Sequence, residues 1–233
     1  MEKISVIIPT LNEAENIIGL VDFFDNVISG TSVEVIIADS PDTNDSTPNL
    51  VQREYITYIQ TAGRGRAVQM NEAAAKARGD ILVFLHADVT PPDTFVRDIA
   101  ETIKEGYAFG FFSYRFEPSS FMLDINASFT LKDGIFAGGG DQIHFMTRNL
   151  YAQMGGYDES FCIMEDFDFT RRIRKKGILL KVISHPATVS SRKYKNNSWL
   201  KVNFLNLLVF IMFRLRIHPQ KIKDLCYSHL KTS

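Results

Sequence analysis

A histidine and an aspartate follow one apolar segment of the 233-residue chain in an arrangement that could bind a metal ion. Residues 81–85 are typical of a buried β-strand, and Pro91 and Pro92 prevent its continuation. Side chains two apart on an extended chain point the same way, so we expect His86 and Asp88 to lie together at the strand end. A carboxylate suits Mg²⁺ or Mn²⁺, and an imidazole suits Mn²⁺ or orients the carboxylate. The alternative is an aspartate that only closes a turn.

Two other strand ends carry polar side chains. Pro9 and Thr10 end the first apolar run and lead into Asn12 and Glu13, and Asp39 ends the second run. Because parallel strands present their carboxyl ends at one sheet edge, a nucleotide there could contact Thr10, Glu13 and Asp39 together. Helix capping and an ordinary Asp-rich turn are the simpler alternatives. No GxGxxG follows the first strand, which disfavours a Rossmann dinucleotide site.

The loop at residues 62–71, AGRGRAVQMN, suits a pyrophosphate. Gly63 and Gly65 let the backbone approach a ligand closely, and Arg64 and Arg66 supply fixed positive charge. A helix that begins here adds free N–H groups. The spacing is not that of a P-loop. A merely solvated loop is the alternative, although arginines at a helix start oppose the helix dipole.

Two later segments supply further carboxylates. Asp141 and Gln142 follow a run of three glycines, in a loop with almost no other side chains. Glu165 and Asp166 open a helix-like segment that ends in basic residues. Acids in a first turn and bases in a last turn are ordinary dipole compensation. A general base requires that one of these carboxylates points into a cleft.

The elements that position these residues indicate an α/β fold. Strands separated by helices at this spacing predict right-handed βαβ units and a mostly parallel sheet. The second half is mixed, with a long aromatic strand at 107–116 and a helix-like segment at 119–132. The apolar runs are 4–8, 33–38, 55–59 and 81–85, and the helix-like segments are 13–28, 46–53, 64–78 and 93–104.

Composition indicates a soluble globular protein. Hydrophobic residues make up 45% of the chain, which is enough for a sizeable core. Two isolated cysteines are too few for a disulfide framework or a zinc site and favour a reducing compartment. The N-terminus is typical of a first β-strand and not of a secretory signal, so we expect a cytoplasmic protein.

The net charge of −1 conceals two opposite blocks. Residues 1–168 contain 26 acidic and 11 basic residues, whereas residues 169–233 contain 15 basic residues and one acid, Asp224. A basic block could contact nucleic acid, an anionic membrane or a phosphorylated substrate, or could only neutralise the acidic block. Its apolar segment at 199–215 is interrupted by polar residues and is too short to cross a bilayer. Packing on the core and insertion at a membrane interface are the two alternatives for it.

In order and spacing, the motifs resemble the family 2 type of GT-A nucleotide-sugar glycosyltransferases. The resemblance covers residues 3–194 and is nearest to a bacterial subgroup that carries LHAD where relatives carry Asp-x-Asp. The motifs are IIPTLNE, Asp39, GRGRAVQMN, LHAD, GGGDQ and GGYDESFCIMEDFDFTRRIRKKG.

The resemblance implies a GT-A domain at residues 1–194, and we expect residues 195–233 to form a basic, apolar helical extension packed on it. It implies transfer of a sugar, with inversion, from a nucleoside-diphosphate sugar to an acceptor hydroxyl. Asp166 would be the general base, supported by Glu165, and Asp88 would hold Mn²⁺ or Mg²⁺, with His86 and His185 as further ligands. The implied donor contacts are Pro9, Thr10, Glu13, Asp39, Gly63, Arg64, Arg66, Asn71, Asp141, Gln142 and Arg192.

The expected partners are a nucleotide sugar, with a UDP-sugar favoured, and a carbohydrate or lipid-linked acceptor. An anionic membrane surface is a further candidate, with the protein at the inner face of the membrane, and we expect no nucleic acid. Two rival functions differ in class. A sugar-phosphate nucleotidyltransferase would release pyrophosphate, but its glycine- and arginine-rich loop ordinarily follows the first strand directly. A non-catalytic protein would bind nucleotide sugars or membranes without turnover.

Overall fold

The first half of the chain alternates strands and helices, as the sequence predicts. A computed structural model describes residues 2–230, apart from the side chain of Tyr227. The elements of this half are β1 (Ile4–Thr10), α1 (Ala14–Val27), β2 (Val33–Asp39), α2 (Thr47–Leu50), β3 (Ile56–Gln60), α3 (Arg66–Lys76) and β4 (Ile81–Phe84).

The second half is less regular and contains elements that sequence patterns did not indicate, namely the strands at residues 89–90, 144–147 and 180–190 and the helix at residues 148–154. Its elements are β5 (Val89–Thr90), α4 (Phe95–Lys104), β6 (Phe109–Glu117), α5 (Phe121–Ser128), β7 (His144–Thr147), α6 (Arg148–Met154), α7 (Glu165–Lys175), β8 (Leu180–Ser190), a 3₁₀ turn (Arg192–Tyr194), α8 (Trp199–Arg214) and α9 (Pro219–His229).

Within the described residues the strands form one eight-stranded sheet in the order β3-β2-β1-β4-β7-β6-β8-β5. The strands β3, β2, β1 and β4 are mutually parallel, and β7 pairs antiparallel with both β4 and β6. The carboxyl ends of β1, β2 and β4 therefore meet at one edge, which is where open α/β sheets place their ligands.

Apolar side chains cover both faces of the sheet. Every residue of β1 and β2 is buried, as expected for central parallel strands. Alternate residues of β1 belong to different layers: Val6 and Ile8 pack with α1 and α4, whereas Ile7 packs with α3 and α7. This burial fixes the register of the strands and hence the positions of their polar ends.

The structure corrects two sequence predictions. Strand β4 ends at Phe84, and the His86 carbonyl accepts a hydrogen bond from the Val89 N–H (3.1 Å), so residues 86–89 form a turn and not an extended strand. The shared orientation expected for His86 and Asp88 therefore does not apply. Helix α2 is also much shorter than the predicted segment 46–53.

The C-terminal helices pack on the segment that precedes α7. Val209 and Phe213 of α8 form a small core with Met164 and with Ile222 of α9. None of the helices within residues 2–230 is both long and apolar enough to span a membrane. The division of the chain at residues 194 and 195 stays a prediction.

Candidate active site

The ends of β1 and β2 are joined by a buried hydrogen-bonded cluster. Asp39 is fully buried, and its Oδ1 accepts from the Thr10 hydroxyl (2.6 Å) and the Thr43 hydroxyl (2.7 Å). Its Oδ2 accepts from the Tyr58 hydroxyl (2.8 Å). Burial and this carboxylate raise the pKa of Tyr58, so the phenol keeps its proton and donates it. The structure thus brings Thr10 and Asp39 together, while Pro9 lies buried beside Ala38.

A residue that sequence reasoning missed ties α3 to this cluster. The buried Gln69 amide donates to the carbonyls of Thr10 (2.7 Å) and Ala38 (2.8 Å). Gln69 shares the buried face of α3 with Met70 and Ala73, so a polar residue among apolar neighbours was the available signal. Its bonds fix the start of α3, and hence the glycine-arginine loop, against the strand ends.

The glycine-arginine loop, residues 62–66, leads into the N-terminus of α3 with a backbone that requires glycine at two positions. A Cβ at Gly63 would lie 2.6 Å from Val68 Cγ1, and Gly65 has a φ of +100°, a value that L side chains rarely adopt. Arg64 extends into solvent and forms a two-point ion pair with Asp42 (2.6 and 2.9 Å). Arg66 instead faces the cavity described below. The loop therefore places the Arg64 guanidinium at the protein surface and the Arg66 guanidinium on the cavity wall.

Arg66 joins the loop to both the LHAD turn and α7. Its Nε lies 2.8 Å from Glu165 Oε1, and its Nη1 lies 3.1 Å from His86 Nδ1. Because a guanidinium only donates, His86 Nδ1 accepts and its proton is on Nε2. Burial, followed by the Arg66 charge, lowers the pKa of His86 well below its usual range. His86 is therefore neutral, with its Nδ1 lone pair engaged by Arg66.

The first turn of α7 presents three carboxylates with different partners. Asp168 forms ion pairs with Arg171 (2.5 Å) and Arg172 (2.8 Å), so its charge is compensated within the helix. Glu165 is fully buried against Arg66, and burial raises its pKa to about 7. Asp166 lines the cavity, and its Oδ1 is buried with no hydrogen-bond partner among the described residues. Burial also raises the pKa of Asp166, although the Arg66 charge opposes this shift.

Asp88 and Asp141 line the same cavity. Burial and the nearby Asp88 charge raise the pKa of Asp141 to about 6, so the two carboxylates repel each other. Within residues 2–230, no hydrogen bond or ion pair engages the Asp88 carboxylate. Two carboxylates that line one cavity and repel each other fit a hard divalent cation. No group of three or more His, Cys, Asp or Glu side chains in this part of the chain forms a complete metal cluster.

Glu13 and Arg192 meet beside Asp88. Arg192 begins the 3₁₀ turn after β8 and lines the cavity, and its Nη2 lies 3.6 Å from Glu13 Oε2. Burial raises the pKa of Glu13, opposed by a hydrogen bond from Asn16 (2.5 Å) and by the Arg192 charge. The sequence placed these residues almost 180 positions apart, and only the order of strands in the sheet brings them together.

Three predicted site residues have other partners. Gln142 accepts from the Gly138 N–H (2.7 Å) and donates to the Phe112 carbonyl (3.0 Å), so its amide holds the glycine loop. Asn71 is bonded to the backbone N–H and carbonyl of Tyr157 (3.0 and 2.9 Å). His185 Nδ1 lies 2.9 Å from Asp98 on α4. None of the three lines the cavity, and His185 is not brought to Asp88.

The cavity has a volume of about 610 Å³ and two chemically distinct ends. One end carries the charged groups Arg66, Asp88, Asp141, Asp166 and Arg192. The other end is mainly apolar and is bounded by α8 and by the segment between α5 and β7; its side chains include Phe129, Phe136, Phe167, Leu207 and Phe210, and Asn203 and Asn206 of α8 also line the cavity. Tyr114 and Tyr194, which the sequence did not single out, are further lining residues.

Comparison with known proteins assigns the family. Residues 5–146, more than half of the chain, match the family model described as Glycosyl transferase family 2. The chain belongs to glycosyl transferase family 2. A curated relative of this family 2 chain is the dolichol-phosphate mannosyltransferase of Pyrococcus furiosus, 32% identical over 108 residues. The aligned part is 45% of the family 2 chain and only 31% of that relative.

Solved structures support the same fold for the family 2 chain. The mannosyltransferase PcManGT from Pyrobaculum calidifontis, in complex with GDP-Man and Mn²⁺, matches with a TM-score of 0.69 at 21% identity, over 92% of this chain and 64% of that one. The glucosyl-3-phosphoglycerate synthase of Mycobacterium tuberculosis, in complex with Mn²⁺, UDP and glucosyl-3-phosphoglycerate, matches with a TM-score of 0.60 at 18% identity, over 91% and 80%. At these identities the likeness shows the fold alone, and that fold is GT-A.

Proposed function

We propose that this protein transfers a sugar from a nucleoside-diphosphate sugar to an acceptor hydroxyl. One observation carries the proposal: Asp166 Oδ1 is buried without a hydrogen-bond partner among the described residues, and Asp166 lies on the wall of a cavity that Arg66, Arg192 and Asp88 also line. A base and groups able to stabilise a departing diphosphate are the two requirements of this reaction. Membership in family 2 and the ligands named for the solved neighbours support the same reaction class.

The donor is proposed to lie along the carboxyl edge of the sheet. The cluster of Thr10 and Asp39 would face the nucleoside, and the N-terminus of α3 would face the diphosphate, with Arg66 inside and Arg64 outside. A glycine loop, free N–H groups and a guanidinium are a common diphosphate-binding combination. A UDP-sugar is our preferred donor, and GDP-sugars are the alternative that the test below includes.

Asp88 and Asp141 are the residues that would hold a divalent ion, because both line the cavity and their charges repel each other. Mn²⁺ or Mg²⁺ fits oxygen ligands of this kind. When bound, such an ion would neutralise charge on the leaving diphosphate. Arg192 would contribute to the same stabilisation from beside Asp88, where it forms an ion pair with Glu13. His86 is proposed to orient Arg66.

Asp166 is proposed as the general base of an inverting displacement. Its carboxylate would accept the proton of the acceptor hydroxyl while that oxygen attacks the anomeric carbon from the side opposite the diphosphate. A buried carboxylate with a raised pKa is a stronger base than an exposed one, which suits this role. Glu165 precedes Asp166 in α7 and forms an ion pair with Arg66, whose charge also acts on Asp166. A correctly placed base contributes ~10² to 10⁴ in rate.

The test compares Asp166→Asn with wild type, using a panel of UDP- and GDP-sugars and Mn²⁺. Donor binding is read from thermal shift, since a bound donor stabilises by mass action, and turnover is read from slow donor hydrolysis. We expect hydrolysis to fall by ~10²-fold or more with donor binding retained. Asp93→Asn, at an exposed position outside the cavity, is the matched control. Equal turnover in Asp166→Asn and wild type would refute the assignment.

Three narrower statements belong to the same proposal. We place the chain in the family 2 subgroup that carries LHAD, because His86 occupies the position of the first aspartate of Asp-x-Asp. We propose that residues 195–233 form an extension of the catalytic domain, which is supported by the packing of α8 on Met164. We also propose a lipid-linked acceptor and a location at the inner face of the membrane, and the apolar end of the cavity supports this acceptor.

A further inference from the structure

Helix α8 is apolar on two opposite sides. At 3.6 residues per turn, Val202, Leu205, Val209 and Phe213 lie on one side, and all four are buried. Leu200, Phe204, Leu207, Ile211 and Leu215 lie on the opposite side and are exposed, Leu200 by 72% and Phe204 by 70%. We call these five residues the outer stripe. A helix that is apolar all round is normally enclosed on all sides, so the outer stripe indicates a second apolar environment.

The outer stripe is continuous with the apolar end of the cavity. Leu207 belongs to both, because it lines the cavity and is also exposed. Phe210, one residue from Ile211, contacts Phe136 with ring centroids 4.9 Å apart, and Phe136 contacts Phe129 at 6.3 Å. All three phenylalanines line the cavity, and Phe129 and Phe136 are themselves exposed. An apolar wall therefore extends from the cavity interior to the surface of α8.

Basic residues flank the outer stripe. On the helical projection, Lys201 lies to one side of it near the first turn and Arg214 lies to the other side near the last, and both are exposed. Arg216 follows directly after the helix and is also exposed. Residues 169–223 contain no acid at all, so no negative charge of this segment opposes them. An apolar strip with cations along its sides is the pattern of a helix that lies in an anionic lipid interface.

A second copy of the chain fits this surface less well. In a symmetric dimer the same patch meets itself, so Lys201 and Arg214 of one copy would approach the like charges of the other. The headgroups of an anionic bilayer supply the opposite charge, and the acyl region accepts the five apolar side chains.

We propose that the outer stripe docks on an anionic membrane, and that the apolar end of the cavity receives the hydrocarbon part of an acceptor drawn from that membrane. The acceptor is therefore an amphipathic lipid whose polar end reaches Asp166. This inference rests on the proposed function, because it specifies the acceptor class of the same cavity. The docking itself is independent of donor chemistry and is measured without donor.

The test is cosedimentation of the full chain with vesicles of phosphatidylcholine alone and of phosphatidylcholine mixed with phosphatidylglycerol. We expect binding to the mixed vesicles that weakens with added salt. Phe204→Asp should weaken binding on the order of tenfold or more, because it removes one inserted apolar side chain and adds a repelled charge. Lys201→Glu should weaken binding to mixed vesicles by roughly fivefold or more, since each interfacial cation contributes about that much.

Leu179→Asp is the matched control, because Leu179 is 75% exposed and lies between α7 and β8, outside the stripe. It should bind the mixed vesicles as wild type does, and circular dichroism checks that all variants fold. Lack of wild-type binding to mixed vesicles overturns the proposal, and so does an equal loss in Leu179→Asp and Phe204→Asp. A stripe-dependent dimer in light scattering without vesicle binding also overturns it. Donor hydrolysis in lipid-free buffer, measured on the same variants, shows whether the proposed chemistry stands when docking fails.

Discussion

Asp141→Asn should stabilise the protein at neutral pH. The pKa of Asp141 is raised from 3.8 to about 6, chiefly by burial and then by the Asp88 charge. A raised native pKa means that the native state disfavours the charged carboxylate, so the destabilisation begins above the unfolded pKa and is complete above the native one. About two pKa units at ~1.4 kcal/mol each give an upper value of about 3 kcal/mol. Because Asp141 is only partly buried by surface area, we expect about 1 to 3 kcal/mol.

The assay is thermal unfolding of wild type and variant in metal-free buffer at about pH 7.5 and about pH 3.5. At the higher pH the Tm of Asp141→Asn should rise by several degrees, at roughly 2–4 °C per kcal/mol for a chain of this size. At the lower pH the two proteins should unfold at nearly the same temperature, because Asp141 is then protonated in the native state and mostly protonated in the unfolded state. Asp93→Asn, at an exposed site, should show neither effect. The reasoning is refuted if the variant is no more stable than wild type at neutral pH, or if it is equally stabilised at both pH values. Either result would show that ionisation of Asp141 does not destabilise the native state.

Three further outcomes are expected. Donor hydrolysis should rise with pH through about 7, the raised pKa of Glu165, because burial also raises the pKa of Asp166 and the base acts when deprotonated; a flat kcat/KM profile contradicts this. Mn²⁺ should raise the Tm of wild type and have little effect on Asp88→Asn, and an equal rise in both would place the ion elsewhere. Gly139→Ala should cost roughly 1 to 3 kcal/mol in urea unfolding, because its Cβ would overlap the Phe167 ring, whereas Gly134→Ala meets open space and should not.

The architecture of the first half was predictable from the sequence because the pattern of apolar residues marks each strand and helix locally. Residues 4–8 and 33–38 are mainly apolar, with Ser5 and Glu34 as the exceptions, and both became fully buried parallel strands. The short strands were not predictable in the same way. His144–Thr147 is a four-residue strand whose pairing with β4 and β6 depends on residues far along the chain. No local pattern encodes such a pairing.

The sequence indicated which residues could take part in chemistry better than it indicated what each of them contacts. The sequence indicated that Asp88, Asp141 and Asp166 could carry chemistry, and the structure places all three on one cavity. Gln142 and Asn71 were equally plausible as polar loop and helix residues, yet their amides bond to nearby backbone groups. A sequence does not show whether an amide is already satisfied, because that depends on which backbone groups the fold leaves unpaired.

The three acids of α7 show why the candidate base can be identified only from the structure. Glu165, Asp166 and Asp168 all lie in the first helical turn, where dipole compensation alone explains negative charge. Asp168 is paired with two arginines of its own helix, and Glu165 is paired with Arg66. In the described part of the chain both Glu165 and Asp166 have buried oxygens without a hydrogen-bond partner, but of the two only Asp166 lines the cavity. A buried carboxylate oxygen without a partner is costly for folding, and its place on the cavity wall supports the proposal that Asp166 takes a proton from a bound substrate.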